Sequence, residues 1–245
     1  MSTPKKVLIT GAKGNLGDKI RQHLDTAQEN YDLVLIDRHE QGDSAIIQAD
    51  LSIYDEAWAQ HFAGIDAVVH LAAEPNPSAS WNSLVKLNLD LLMNVYEAAV
   101  AKGSKRLIFA SSNHTMGGYR EENVVLTPNT PPKPGNPYGT TKLMGERIGK
   151  SYSERHGLSV ICLRIGWTPR GENRPDEAMD NNWWWQMWLS NRDYCQVVEK
   201  AILVENVPFA VLNAMSNNTG MKWDLSDTRR ILGYEPQDNA YAQKK

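Results

Sequence analysis

Five short runs of nearly unbroken apolar residues punctuate the first two thirds of the chain: Lys5–Thr10, Asp32–Ile36, Asp66–His70, Lys105–Ala110 and Ser159–Ile165. Strands that face solvent on one side alternate apolar with polar, whereas strands covered on both sides read as continuous apolar runs. These five therefore predict buried strands. The second closes on Asp37, the third runs into Leu71-Ala72-Ala73, and the fourth is closed by Ser111-Ser112. Between them lie segments with helical spacing, at Asn15–Thr26, Ile53–Phe62, Ala79–Ala101 and Pro137–His156, while the Pro- and Asn-rich stretch Glu121–Pro137 reads as loop. Strands alternating with helices predict an α/β fold, a doubly wound parallel sheet covered on both faces. After Trp167 the alternation fails. Arg170–Asn182 is polar and loop-like, Trp183–Ser190 and Val197–Val204 read as helices, and Pro208–Asn213 reads as one more strand. The expected organisation is a main domain over 1–166 and a small region over 167–245 packed closely on it.

Composition narrows the function classes. A formal net charge of −3 over 245 residues lacks the basic face that a nucleic-acid partner requires. No apolar run reaches membrane-spanning length, and Met1–Lys6 is polar with no signal-peptide character. Cys162 and Cys195 have no metal-ligand spacing and read as buried thiols of a reducing compartment, so the expected location is the cytoplasm and no metal is expected.

Candidate chemistry sits at the ends of the strands. Thr10-Gly11-Ala12-Lys13-Gly14-Asn15-Leu16-Gly17 follows the first strand and opens the first helix. Glycines in that context allow a tight turn and close approach of backbone to a pyrophosphate, and the helix N-terminus adds unpaired N–H groups and a positive dipole end. Asp37, at the end of the second strand, is placed to accept hydrogen bonds from an adenosine ribose and to repel a 2′-phosphate, which favours NAD; Arg38 beside it suits a phosphate, and keeps NADP open. Asn136-Pro137-Tyr138-Gly139-Thr140-Thr141-Lys142 opens a helix with a capping Asn and a Pro at its first position. Tyr138 and Lys142 then share one helix face. A tyrosine near pKa 10 must drop by roughly three units, about 4 kcal/mol, to serve as a base near neutrality, and a neighbouring ammonium favours that change.

The ordered set Thr-Gly-x-x-Gly-x-x-Gly, Asp50-Leu51, His70-Leu71-Ala72-Ala73, Asn88, Ser111-Ser112 and Pro137-Tyr138-Gly-x-x-Lys142 resembles the extended short-chain dehydrogenase/reductases, which include the NAD-dependent epimerases and dehydratases, over residues 7 to 166. The resemblance implies a Rossmann-type fold with NAD as cofactor, and Ser112, Tyr138 and Lys142 as the catalytic residues. It implies a cofactor site of Gly11, Gly14, Asn15, Leu16, Gly17, Asp37, Arg38, Asp50, Leu51, Leu71, Ala72, Ala73, Asn88 and Ile165, with Lys142 also on the nicotinamide ribose. Ser111-Ser112-Asn113-His114, Leu163-Arg164-Ile165-Gly166, Trp188-Leu189-Ser190 with Asp193, and the segment Leu232–Ala240 are similar to uronate dehydrogenases. Those enzymes oxidise the anomeric carbon of a hexuronic acid to a lactone, which implies a small, acidic sugar as substrate and Asn113 and His114 as contacts to its hydroxyls.

The chain departs from the uronate pattern where that family grips its carboxylate. Trp167 stands in place of a serine, Pro75 aligns with another, and the family's arginine aligns near Trp183. Arg170 and Arg174, in the loop that follows, are the candidates to replace the missing cation, and a guanidinium fork suits carboxylate, phosphate or sulfonate alike. The eight tryptophans against three phenylalanines add a second option. Trp167, Trp183 and Trp184 either stack on a sugar ring or pack the C-terminal region. Two other activities share these motifs: a sugar epimerase or dehydratase that retains its NAD, and a non-catalytic NAD-binding protein. By analogy with relatives, a homo-oligomer would form through the long helices at Ala79–Ala101 and Pro137–His156.

Overall fold

Alternate residues of each apolar run point to opposite sides of one sheet, and both sides are dry. In a computed structural model, which describes residues 3–175 and 182–243, seven parallel strands run in the order β3-β2-β1-β4-β5-β6-β7. They are β1 (Lys5–Thr10), β2 (Tyr31–Asp37), β3 (Ile46–Gln48), β4 (Ala67–His70), β5 (Arg106–Ser112), β6 (Ser159–Ile165) and β7 (Phe209–Ala214). Val7, Ile9, Ile108, Ile161 and Leu163 enter one core with Ile20, Leu24, Val197 and Ile202. Leu8, Leu107, Phe109, Val160 and Cys162 enter the other with Trp58, Phe62, Leu92 and Tyr96. The first core is closed by α1 (Asn15–Asp25) and α7 (Asn191–Leu203); the second by α2 (Glu56–Ala59), α4 (Leu91–Ala101) and α5 (Pro137–His156). Two further short helices are α3 (Trp81–Leu84) and α6 (Asn182–Gln186), and α8 (Ser226–Leu232) follows β7.

This is the doubly wound Rossmann-type sheet expected. β1 pairs with both β2 and β4, so chain direction across the sheet reverses between β1 and β4. A crevice opens outside the strand C-termini at such a switch point. The strands from β1 to β7 match expectation within a residue or so, except that β3 was not anticipated; its three residues carry too little pattern to be told from a loop. The helix expected at Ile53–Phe62 begins at Glu56, because Asp55 caps it by accepting from the Ala57 N–H at 2.8 Å, and its last turn at Gln60–Phe62 tightens to 3-10. The helix expected at Ala79–Ala101 is capped at Ser80 and winds as a π-helix over Val85–Asp90 between α3 and α4. α7 begins well before Val197, at Asn191, where the Ser190 hydroxyl accepts from the Asp193 N–H at 3.0 Å. Of the loop expected at Arg170–Asn182, residues 176–181 lie outside the described residues. Both cysteines are buried and free, and among the described residues no helix is long and apolar enough to cross a membrane.

Candidate active site

The crevice is a cavity of about 560 Å³ whose lining crosses the strand ends from β2 and β3 to β6. At β1 the chain turns through Gly11, with φ +70°; a Cβ there would sit 2.7 Å from the Ala72 nitrogen, so only glycine lets the loop lie against the 71–73 segment. That segment is pinned from β1: the Thr10 hydroxyl accepts from the Leu71 and Ala72 N–H groups at 3.2 and 3.3 Å, and pairs with His70 Nδ1 at 2.8 Å. Burial holds the His70 ring neutral, pushing its pKa down to about 3. Gly14 is the N-cap of α1, and no side chain caps that helix. Its first N–H groups and dipole thus face the cavity lined by Gly14, Asn15, Leu16 and Gly17, an arrangement that suits a diphosphate.

At the β2 and β3 ends, Asp37 lines the cavity and is oriented by the N–H groups of Lys13 at 2.9 Å and His39 at 3.1 Å. Arg38, Asp50 and Leu51 line it too. The Ser52 hydroxyl and N–H, which bond Asp50 at 2.7 and 3.0 Å, hold its carboxyl below its ordinary range despite partial burial. Leu71, Ala72, Ala73 and Ile165 form the wall between. The fit to a dinucleotide is complete at this level: a close-approach glycine turn, an uncapped helix N-terminus and a strand-end carboxylate occur in one trough.

At the β5 end stand Ser112, Asn113 and His114. Ser112 is the last residue of β5 and its hydroxyl accepts from the His114 N–H at 3.1 Å. Asn113 is buried and donates to the Ile165 carbonyl at 3.0 Å, tying this turn to β6. α5 brings Tyr138 alongside in its first turn, and the closeness of that approach depends on Gly139, whose Cβ would overlap the His114 carbonyl. Burial pushes Tyr138 up to about 12; a hydrogen bond with Ser112 works the other way, and the Glu74 carboxylate adds to the rise. Lys142 is buried, donates to the Ala110 carbonyl at 2.9 Å, and lies 5.7 Å from the Tyr138 ring centre. Loss of water brings its pKa down to about 8, so it is still a cation at pH 7. Asn136 caps α5 through Oδ1, which accepts from the Gly139 N–H at 2.8 Å. Its Nδ2 must therefore be the group 2.9 Å from His114 Nδ1, which makes Nδ1 an acceptor and puts the ring proton on Nε2. Burial also lowers the His114 pKa, and its ring meets Tyr138 edge-on at 5.4 Å.

The structure gathers nearly all of the expected site residues into this trough, with three exceptions. Asn88 is buried beside the trough without lining it; its amide holds the backbone of Glu74, accepting from the N–H at 2.8 Å and donating to the carbonyl at 3.3 Å. Arg174 is exposed and pairs with Glu172 at 3.0 Å. Trp183 is buried against Trp223, ring centres 4.6 Å apart, and belongs to the core. Trp167 and Trp184 do line the cavity, edge to face at 5.7 Å, and Arg170 reaches its rim. Sequence reasoning passed over Glu74, Pro77 and Thr168, which also line it. A signal for Glu74 was present: it directly follows His70–Ala73, the segment that runs along the crevice.

The comparisons with known proteins agree with this geometry. The family model described as the NAD dependent epimerase/dehydratase family matches residues 7–184. The chain belongs to that family. It is 36% identical to L-arabinose 1-dehydrogenase (NAD(P)(+)) of Haloferax volcanii, over 96% of this chain and 97% of that protein. It is 32% identical to the NAD-dependent glucose-6-phosphate dehydrogenase of the same organism, over 96% of this chain and 94% of that one. The crystal structure of uronate dehydrogenase from Agrobacterium tumefaciens superposes with a TM-score of 0.84 at 31% identity, covering 98% of this chain and 87% of the other; a mutant of that enzyme has been solved in complex with NAD.

Proposed function

We propose that this protein is an NAD-dependent sugar 1-dehydrogenase, which oxidises the anomeric carbon of a small cyclic aldose to a lactone. One observation carries the reading: Ser112, Tyr138 and Lys142 occupy the β5 end of the same trough whose β1 end holds the glycine turn and the uncapped helix. In this reading residues 1–166 carry the cofactor and the segment from Trp167 onward supplies the far wall of the sugar pocket. Asp37 and Asp50 would hold the adenosine ribose, the first turn of α1 the diphosphate, and Lys142 the nicotinamide ribose. Bound NAD supplies the hydride acceptor and, when oxidised, a positive charge near the reacting groups.

The chain's own residues manage orientation and the proton. Ser112 and Tyr138 bracket the C1 hydroxyl, and Tyr138 as phenolate takes its proton as the C1–H bond gives up its hydride. Ser112 favours the phenolate by hydrogen bonding, and the Lys142 ammonium, anchored on the Ala110 carbonyl, adds a fixed positive charge. Asn113 and His114 meet sugar hydroxyls, His114 as a donor through Nε2. The reading is tested by following NADH at 340 nm with purified protein, NAD and a panel of aldoses. Tyr138→Phe should keep NAD binding and lose turnover by about 10²- to 10⁴-fold, the usual contribution of a general base. Near-full turnover in that variant would remove Tyr138 from the chemistry. An enzyme that retains its NAD as a sugar epimerase or dehydratase would release no NADH.

A further inference from the structure

The ionisable groups along the trough divide by strand, and the division bears on which sugar fits. Asp37, Arg38, His39 and Asp50 lie at the ends of β2 and β3. Lys142 is committed to the Ala110 carbonyl. Arg170 is held on the α1 side: Asn15 Nδ2 donates to the Thr168 carbonyl at 2.9 Å and Lys19 to the Pro169 carbonyl at 3.3 Å, leaving Arg170 close enough to Lys19 to repel its charge. That ties the backbone leading into Arg170 to the first turns of α1, the helix that opens on the diphosphate end. Beside Ser112 and Tyr138, among the described lining residues, only Glu74 and His114 remain. His114 presents a neutral ring, because its Nδ1 accepts from Asn136. Glu74 is oriented by the Asn76 N–H at 3.0 Å and the Ser83 hydroxyl at 3.4 Å, on a backbone clamped by Asn88. The sequence at 176–181 contains no lysine or arginine.

The sugar end thus pairs a carboxylate with two indole faces, Trp167 and Trp184, where an anionic substrate requires a cation. We infer that the pocket selects an uncharged aldose, with Glu74 accepting a ring hydroxyl and repelling sugars that bear a carboxylate, phosphate or sulfonate. Tryptophan faces match the apolar face of a pyranose, and a carboxylate is a strong hydroxyl acceptor. A like charge across a binding site rejects the wrong ligand more strongly than a missing contact does. The inference rests on the 1-dehydrogenase reading and differs from the acidic sugar expected from the sequence in the charge of the substrate it selects.

The experiment compares kcat/KM for L-arabinose, D-xylose, D-glucose and D-galactose with that for glucuronate, galacturonate and glucose 6-phosphate. At least one neutral sugar is expected to exceed every acidic one by about a hundredfold or more. Glu74→Gln should narrow that gap by about tenfold while leaving KM for NAD unchanged, and retained NAD binding shows that the variant is folded. Arg170→Ala should raise KM for NAD and leave the sugar preference as it is. Preferential turnover of an acidic sugar overturns the inference and leaves the 1-dehydrogenase reading standing. An unchanged gap in Glu74→Gln overturns the part given to Glu74. No NADH from any sugar overturns both readings.

Discussion

Burial acts on Tyr138 and Lys142 in opposite senses, lifting the phenol to about 12 and bringing the ammonium down to about 8. Both shifts favour the neutral form, so the working state, phenolate beside ammonium, depends on mutual attraction, the Ser112 hydrogen bond and the charge that oxidised NAD would bring. Removing the ammonium leaves burial opposed by the Ser112 hydrogen bond and the oxidised nicotinamide, without the fixed cation. For Lys142→Met the rising limb of kcat/KM against pH should move up by about one unit or more, with turnover at pH 7 down by roughly a hundredfold. The sign follows from the reaction: the base must be deprotonated, and a cation beside it lowers the pH at which that happens. A limb that stays in place would show that Lys142 holds cofactor without tuning Tyr138. The placement of Tyr138 and Lys142 in the trough was legible in the sequence because the Tyr-x-x-x-Lys spacing falls one helix after a strand ending in Ser111-Ser112. Arg174 and Trp183 were misplaced for the complementary reason. Arg174 lies in a loop, which obeys no period, and Trp183 in a helix of 5 residues, too short to show a buried face, so nothing in the sequence distinguishes an arginine facing Glu172 from one facing a ligand, or a tryptophan seated on Trp223 from one lining a pocket.

At the scale of elements, α5 falls where the sequence placed it, about Pro137 to His156, and both of its ends carry backbone chemistry. Asn136-Pro137 opens it, and Gly157, at φ +69°, closes it in the left-handed conformation. The π-helical turn at Val85–Asp90 left no trace in the pattern, since one wider turn barely disturbs a helical period. α8 was missed although Gly233 caps it in the same way as Gly157 caps α5; at 7 residues it offers too short a periodic run. The α5 cap also couples fold to chemistry, because one amide serves both Gly139 and His114. Asn136→Ala should therefore cost about 1 kcal/mol, a Tm loss of roughly 2–4 °C for a chain of this length, together with a rise in KM for sugar. Asn136→Asp keeps the cap, since aspartate caps as well as asparagine, but offers His114 Nδ1 an acceptor in place of a donor. Its Tm should stay near wild type while KM for sugar rises several-fold. Equal KM values in Asn136→Asp and wild type would show that the His114 tautomer is immaterial.

Across the whole molecule, the order of buried strands dictates where the trough opens. The doubly wound sheet was legible because strands dry on both faces announce themselves as apolar runs; much of the last third beyond β7 was not, because its contacts join segments far apart in sequence, and a polar set among them ties down the C-terminal segment. Asp193 is the centre of those contacts. Its carboxylate is fully buried and accepts from the Gln237 N–H at 2.8 Å, the Asp238 N–H at 3.0 Å and the Ser216 hydroxyl at 2.6 Å. Asp238 in turn accepts from the Ser190 hydroxyl at 2.6 Å and pairs with Arg192. With Gln196, which exchanges hydrogen bonds with the Glu235 backbone, Asp193 fastens the C-terminal segment to α7, which packs on α1 beneath the glycine turn, where the Tyr194 hydroxyl donates to the Leu16 carbonyl at 3.1 Å. Asp193→Ala would leave the buried Ser216 hydroxyl without its acceptor, at about 1–3 kcal/mol before relaxation, and would also strip the partly buried Gln237 and Asp238 N–H groups of theirs. The net loss should be on the order of 3 kcal/mol, or roughly 6–12 °C in Tm. KM for NAD measured well below that Tm should change little, because no atom of Asp193 reaches the trough. Circular dichroism melts beside initial-rate kinetics separate the two effects. A small Tm change would mean that the C-terminal segment is held chiefly by the packing of Trp185 against Tyr241, and a large change in KM for NAD would mean that strain at α7 reaches the glycine turn through α1.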